Sequence, residues 1–203
     1  MSSDARWNPR ANAAPPFGAR RLLLLVTGSS AAVFLPPWLS WLCFGYPDLE
    51  CKVVLTRSAQ HFVTAEGLRP LGPSEVLSDD WSPAARERSL HVELAQWPDA
   101  VAVYPGSMNF LARFALGAVD TPALLALQCT TAPIAIAAAL PPGGWDCAAM
   151  LRHRRELADR PNVAVLPPVP GRSMTTGQQN GNQPGSLPEL ITLLERTRTA
   201  LAD

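Results

Sequence analysis

Along the chain, short apolar runs alternate with longer segments of mixed character, and this rhythm carries most of the structural information. The runs at 22–26, 51–55 (broken only by Lys52), 100–103, 133–137 and 163–166 are each four to five residues long, with polar or turn-forming residues such as Thr27, Thr56, Asp99 and Pro167 at most of their boundaries. That length and those boundaries predict strands buried on both faces. Between them, helices are predicted near 31–44, 58–66, 110–118, 146–159 and 187–202, with a further helical stretch at 123–127. Strands alternating with helices imply a parallel sheet covered on both sides, so the predicted architecture is a single doubly wound, Rossmann-like (flavodoxin-like) α/β domain. No internal repeat is visible.

Two segments stand outside this rhythm. Residues 1–19 hold Ser, Asn, Pro and Arg without periodicity and read as a flexible arm preceding a domain over residues 20–203. Residues 167–186, rich in Pro, Gly, Gln and Asn, lack the apolar side chains that would order them by burial, and they read as a mobile lid.

Composition narrows the function classes. Apolar residues make up 47% and charged residues 17%, while 17 Lys and Arg balance 17 Asp and Glu. A neutral chain without a basic stripe is not expected to take nucleic acid as its main partner; the run Arg152-His153-Arg154-Arg155 reads as a solvated helix face. Arg20-Arg21 followed by the apolar run 22–26 imitates a secretory signal, but Thr27-Gly28-Ser29-Ser30 interrupts it and Pro36-Pro37 follows. A strand and a glycine turn fit better, and no membrane span is predicted. Cys43, Cys51, Cys129 and Cys147 form no Cys-x-x-Cys pair, so no structural metal is expected and reduced thiols in a cytoplasmic protein are the default.

The candidate chemistry gathers at predicted strand ends. Thr27-Gly28-Ser29-Ser30 leaves the first strand and opens a helix, where backbone amides and hydroxyls can cradle a phosphate. Thr56-Arg57-Ser58 leaves the second strand in the same way, and Pro105-Gly106-Ser107 reads as a turn after the strand at 100–103. Turns at the carboxyl edge of a parallel sheet converge on one crevice. His91 precedes that strand, and imidazole titrates near neutrality, so it is a candidate proton acceptor. His61 and His153 read as packing or surface residues, and no Gly-x-Ser-x-Gly elbow is present.

Taken together, His91-Val-Glu-Leu-Ala-Gln-Trp97-Pro-Asp99, Pro105-Gly106-Ser107-Met108-Asn109 and Gly117-Ala-Val-Asp120 resemble motifs of the homo-oligomeric flavin-containing cysteine decarboxylases. The first is similar to that family's active-site His and Trp-Ala-Asp corner, and the second to its Pro-Ala-Ser-Ala-Asn-Thr motif. The resemblance implies FMN, with FAD left open, held by Thr27, Gly28, Ser29, Ser30, Thr56, Ser58, Phe62, Tyr104, Pro105, Gly106, Ser107 and Met108. It implies His91 as base or carboxylate orienter and Asn109 as a catalytic contact to flavin and substrate. Trp145, Arg172 and Met174 are implied as substrate contacts, with residues 167–186 as a substrate clamp. One departure concerns the family's Pro-x-Met-Asn-x-x-Met-Trp motif, of which Trp145 alone survives. Pro141 stands where an amide side chain would help hold the substrate, and proline offers neither that amide nor a backbone N–H.

Two branches of the family differ in the clamp. The coenzyme-pathway branch, phosphopantothenoylcysteine decarboxylase, carries a cysteine there, and this chain has none after Cys147. The resemblance therefore points to the peptidyl-cysteine decarboxylases of lantibiotic biosynthesis, of the epidermin type. Those enzymes oxidise a C-terminal peptidyl cysteine at its β-carbon to a thioaldehyde, lose carbon dioxide and leave an enethiol, en route to an aminovinyl-cysteine ring. Assembly as a trimer, or as a dodecamer of trimers, is implied as well. A flavin prenyltransferase and a non-catalytic flavin-binding regulatory subunit are alternatives that share the fold.

Overall fold

The computed structural model describes residues 14–81, 89–172 and 177–202. Six parallel strands form one sheet: β1 (Arg21–Val26), β2 (Glu50–Thr56), β3 (Glu75–Asp79), β4 (Ala100–Ser107), β5 (Ile134–Ala139) and β6 (Val163–Leu166), in the order β3-β2-β1-β4-β5-β6. The order reverses between β1 and β4, and in doubly wound sheets ligands bind outside the carboxyl ends at such a switch point.

Continuous apolar runs form these strands because both faces are covered. Leu22, Leu24 and Val26 enter one core, and Leu23 and Leu25 enter the other. Along β4, Ala102 and Tyr104 divide from Val101 and Val103 in the same way, as the two-residue period of a strand requires. The first core is closed by α1 (Leu35–Gly45) and by α7 (Leu187–Ala200) through Leu187, Leu190, Ile191 and Leu194. The second is closed by α3 (Leu90–Gln96), α4 (Met108–Ala115), α5 (Pro122–Cys129) and α6 (Ala148–Ala158). Each fully buried Leu on β1 contributes about 1.5–3 kcal/mol of apolar transfer free energy.

Helix starts follow from local chemistry. Pro36 and Pro37 occupy the first turn of α1, where the missing N–H would be unpaired in any case. Ser186 and Glu189 form a reciprocal capping box at α7. Asp79, buried at the end of β3, accepts from Ala123 N at 2.8 Å and so secures the first turn of α5. Burial pushes its carboxyl above the usual range, against the hydrogen bonds from Ala123 and Thr121.

Several expectations are corrected. The sheet has six strands rather than five; β3 (Glu75–Asp79) was hidden because its sequence, EVLSD, mixes burial with polar groups. The helix predicted near 58–66 is a single 3-10 turn, Ala59–His61, followed by the four-residue α2 (Ala65–Leu68). His91 precedes β4 as read, but it lies on α3, a helix that the sequence reading did not include. Pro105-Gly106-Ser107 is not a turn but the bulged end of β4: the register passes from Val103↔Ile136 to Gly106↔Ala138, and the Tyr104–Pro105 peptide is cis.

The predicted lid contains an ordered hairpin, β7 (Val169–Gly171) against β8 (Gly181–Gln183), with residues 173–176 outside the described set. Of the predicted arm, residues 1–13 are likewise outside it, while 14–19 lie on the domain. Tyr46 Oη donates to Pro15 O at 2.7 Å, Phe17 packs edge-on to Tyr46, and Gly18 N donates to Glu195. No helix among the described residues is long and apolar enough to cross a membrane.

At the amino edge of the sheet, Asp99 joins the starts of β1 and β4. Its carboxylate accepts from Arg20 N, Arg21 N and the Arg21 guanidinium at 2.7–3.2 Å. Partial burial opposes its charge, but the guanidinium and the two backbone N–H groups outweigh that and hold the carboxyl below the usual range. Asp99→Ala is therefore expected to cost about 0.5–1.5 kcal/mol in urea unfolding near neutral pH, since water can reach the groups it leaves. A depressed carboxyl contributes fully above the unfolded value near about 3.9 and loses its contribution as pH falls through the folded one. The gap between wild type and variant should close in acid.

Candidate active site

The carboxyl ends of β1, β4 and β5 open into a crevice of about 520 Å³. Its floor is Gly28, Ser29, Ser30, Ser107, Met108 and Asn109, and its far wall is the end of β5, Pro141, Pro142 and the hairpin residues Gly181, Asn182 and Gln183. The volume falls within the range of small-molecule and cofactor sites.

Thr27 shapes the floor. Its hydroxyl is buried, donates to Pro105 O at 2.6 Å and accepts from Ser107 N at 2.8 Å, locking the β4 bulge onto the end of β1. Ser29 and Ser107 cap the helical turns that follow, accepting from Ala31 N and Phe110 N at 3.3 Å each. Two backbone positions need glycine by close approach. A Cβ on Gly28 would lie 2.3 Å from Ser58 Cβ, and one on Gly106 would lie 2.4 Å from Ile136 Cγ2. The first lets the turn after β2 pack against the turn after β1; the second lets β4 approach β5 through the bulge.

The crevice suits a phosphate-bearing cofactor. No carboxylate lines it among the described residues, and its polar groups are hydroxyls, amides and the backbone N–H groups at the start of α4. Among the residues read from the sequence as cofactor contacts, Gly28, Ser29, Ser30, Ser107 and Met108 line it together with Asn109. Thr27, Pro105 and Gly106 support it from beneath. Thr56 accepts from Ala59 N at 3.2 Å, Ser58 packs on Gly28, Phe62 is exposed nearby in sequence, and Tyr104 is buried toward the α7 core. Burial pushes the Tyr104 phenol well up.

His91 is not brought into this crevice. It lines a separate depression of about 850 Å³ between α3 and α5, with Gln96, Cys129 and Thr130. Its ring sits 5.7 Å from that of Trp81. His91 Nδ1 is buried without a hydrogen-bond partner, the one such side-chain atom among the described residues. Buried polar atoms are almost always paired, so an orphan needs an explanation from outside the chain's own packing.

The predicted substrate residues are scattered. Trp145 lies under the Arg154 guanidinium, 4.0 Å from its ring centroid, beyond the Pro141–Pro142 turn. Arg172 donates through Nε to Gly177 O at 2.8 Å, closing the hairpin on itself; Met174 is outside the described residues. Sequence reading missed Asn182 and Gln183 altogether. Asn182 straps the hairpin to the end of β5, accepting from Leu140 N and donating to Pro141 O, each at 3.1 Å. A three-residue strand is too short to show a period, so no pattern announced it.

Residues 14–198 match the family model described as Flavoprotein. The chain belongs to the flavoprotein family. This flavoprotein is 31% identical over 174 residues to a Streptomyces protein named cypemycin cysteine dehydrogenase (decarboxylating), a match covering 84% of this chain and 90% of the relative. It is 29% identical over 170 residues to the phosphopantothenoylcysteine decarboxylase of Arabidopsis thaliana, covering 79% of this chain and 77% of the relative. Among solved structures, the cypemycin decarboxylase CypD superposes with a TM-score of 0.75 at 27% identity, covering 94% of this flavoprotein and 99% of that chain.

Proposed function

We propose that this flavoprotein binds FMN in the crevice between β1, β4 and β5 and oxidatively decarboxylates the C-terminal cysteine of a peptide to an enethiol, a precursor of an aminovinyl-cysteine ring. The observation that carries this reading is the near full-length match to the Streptomyces cysteine dehydrogenase (decarboxylating). The lack of any cysteine after Cys147 favours the peptidyl branch over coenzyme synthesis. A cytoplasmic setting is part of the reading, supported by four free thiols.

In this reading the backbone amides and hydroxyls at Ser29, Ser30 and Ser107 hold the cofactor phosphate, and Thr27 keeps the two turns that carry them in register. Bound FMN supplies a hydride acceptor for the cysteine side chain. Asn109, exposed on the first turn of α4, offers amide donors to the substrate carboxylate. Pro141 cannot share that task, and its carbonyl is already taken by Asn182 and by Gly144 N. Trp145, Arg172 and Met174 complete the substrate side. The bond between the α-carbon and the carboxyl carbon would then break, releasing carbon dioxide, while its electron pair moves into the oxidised β-carbon–sulfur group, and a proton on sulfur completes the enethiol.

His91 serves as the base or carboxylate orienter, and self-association supplies its place. A trimer, or a dodecamer of trimers, would set His91 of one copy against the Asn109 crevice of another. The separation of the two residues within one chain and the orphaned Nδ1 both support this arrangement.

Incubation of the yellow holoprotein with a Cys-terminated peptide is expected to remove two hydrogens and one carbon dioxide, about 46 Da, as read by mass spectrometry. Recovery of the peptide unchanged across varied sequences, with flavin bound, would overturn the reading.

A further inference from the structure

The sixth strand is one of the two edges of the sheet, and its outward side is a furnished groove rather than a blunt margin. Ile134 N donates to Asn162 O, which fixes the phase of the β5–β6 ladder. In a parallel ladder alternate residues bond inward, so the N–H and C=O of Val165 and the C=O of Val163 point away from β5. Val163 N is already used by Arg160 O. Among the described residues nothing engages the outward groups of Val165, and such an edge is a template for an added strand.

Beside that edge, α6 and the segment after β5 line a groove of about 520 Å³. Its apolar wall is Trp145, Leu151 and Val165, and its cations are Arg154 and Arg155. Leu151 is 39% exposed, and neither arginine has a carboxylate partner among the described residues. The chain links the groove lining to the crevice lining at two points. Trp145 follows the crevice-lining Pro141 and Pro142 by three residues, and Pro167, at the other end of the groove wall, leads directly into the hairpin whose second strand lines the crevice.

We propose that this groove binds an acidic, extended stretch of the peptide substrate as a seventh strand on β6, with a carboxylate at Arg154 and Arg155 and an apolar side chain against Leu151 and Val165. The proposal rests on the peptidyl-cysteine reading, because the occupant is the part of the substrate remote from its terminal cysteine. Backbone pairing would supply affinity without reading sequence, and the arginines would select for acidic segments.

The test is fluorescence anisotropy on the flavin-loaded protein with two fluorescein-labelled peptides lacking cysteine, one alternating valine and glutamate and the other alternating valine and lysine. The glutamate peptide is expected to bind at least about tenfold more tightly, and Arg155→Glu to abolish or reverse that preference. Val165→Pro removes the outward N–H at an edge position, where proline is tolerated, and should weaken binding about tenfold with the flavin retained. Equal binding of the two peptides, or an unchanged preference in a flavin-loaded Arg155→Glu protein, overturns the groove assignment. Because these peptides carry no cysteine, intact binding together with no carbon dioxide from a Cys-terminated version would overturn the enzymatic reading and leave the groove standing.

Discussion

His91→Asn is expected to leave the protein yellow while lowering carbon dioxide release about 10²–10⁴-fold, the range typical for loss of a general acid–base group. Flavin retention follows from position: His91 lines the α3–α5 depression and takes no part in the crevice floor made by Ser29, Ser107 and Asn109. Asparagine keeps a polar side chain of similar reach but cannot take up a proton near neutrality. Single-turnover release of carbon dioxide, with flavin absorbance read on the same sample, separates the two effects. Full turnover in this variant would remove His91 from the mechanism.

The second large effect concerns Thr27→Val, which keeps the shape of the side chain and deletes its hydroxyl. Pro105 O then loses its donor and Ser107 N its acceptor at a site closed to water. Leaving buried groups unpaired costs about 1–3 kcal/mol, seen as a shift in the urea midpoint. The flavin should suffer as well, since Ser107 would no longer be held against the β1 turn; equilibrium dialysis is expected to show at least about tenfold weaker binding. Thr27→Ser, which restores the hydroxyl, should recover most of both losses. Normal flavin affinity in the valine variant would mean that the floor does not depend on this clamp.

Legibility in the sequence tracked the strength of the physical signal. The runs at 22–26 and 51–55 are apolar throughout apart from Lys52 because both faces of β1 and β2 are largely buried, so strand, parallel sheet and layered architecture followed from them. Thr27-Gly28-Ser29 was readable because a short polar cluster breaking an apolar run has few other uses. β3 was not readable: Asp79 sits in it to cap a helix more than forty residues downstream, a demand invisible along the chain. The Pro105-Gly106-Ser107 segment looked like a turn because Pro and Gly usually punctuate. Here Gly106 is present for its contact with Ile136, and the strand continues through it.

The segment from His91 to Asn109 shows the limit most clearly. It reads as one compact motif, yet α3 carries it down the sheet, Asp99 turns it at the amino edge, and β4 brings it back. Nearness in sequence did not become a shared crevice. A resemblance to oligomeric enzymes supplied what single-chain reasoning lacks, namely that a second copy can complete the constellation.

The strap between the hairpin and β5 has a consequence for motion. Leu140, the residue after β5, has its N–H protected by Asn182 O alone, not by the ladder that shields β5. Amide hydrogen exchange at this one position therefore follows the hairpin's own lifting rate, while exchange at Ile136 follows unfolding of the sheet. The protein thus carries a native clock for the opening of its crevice, readable without any substrate present.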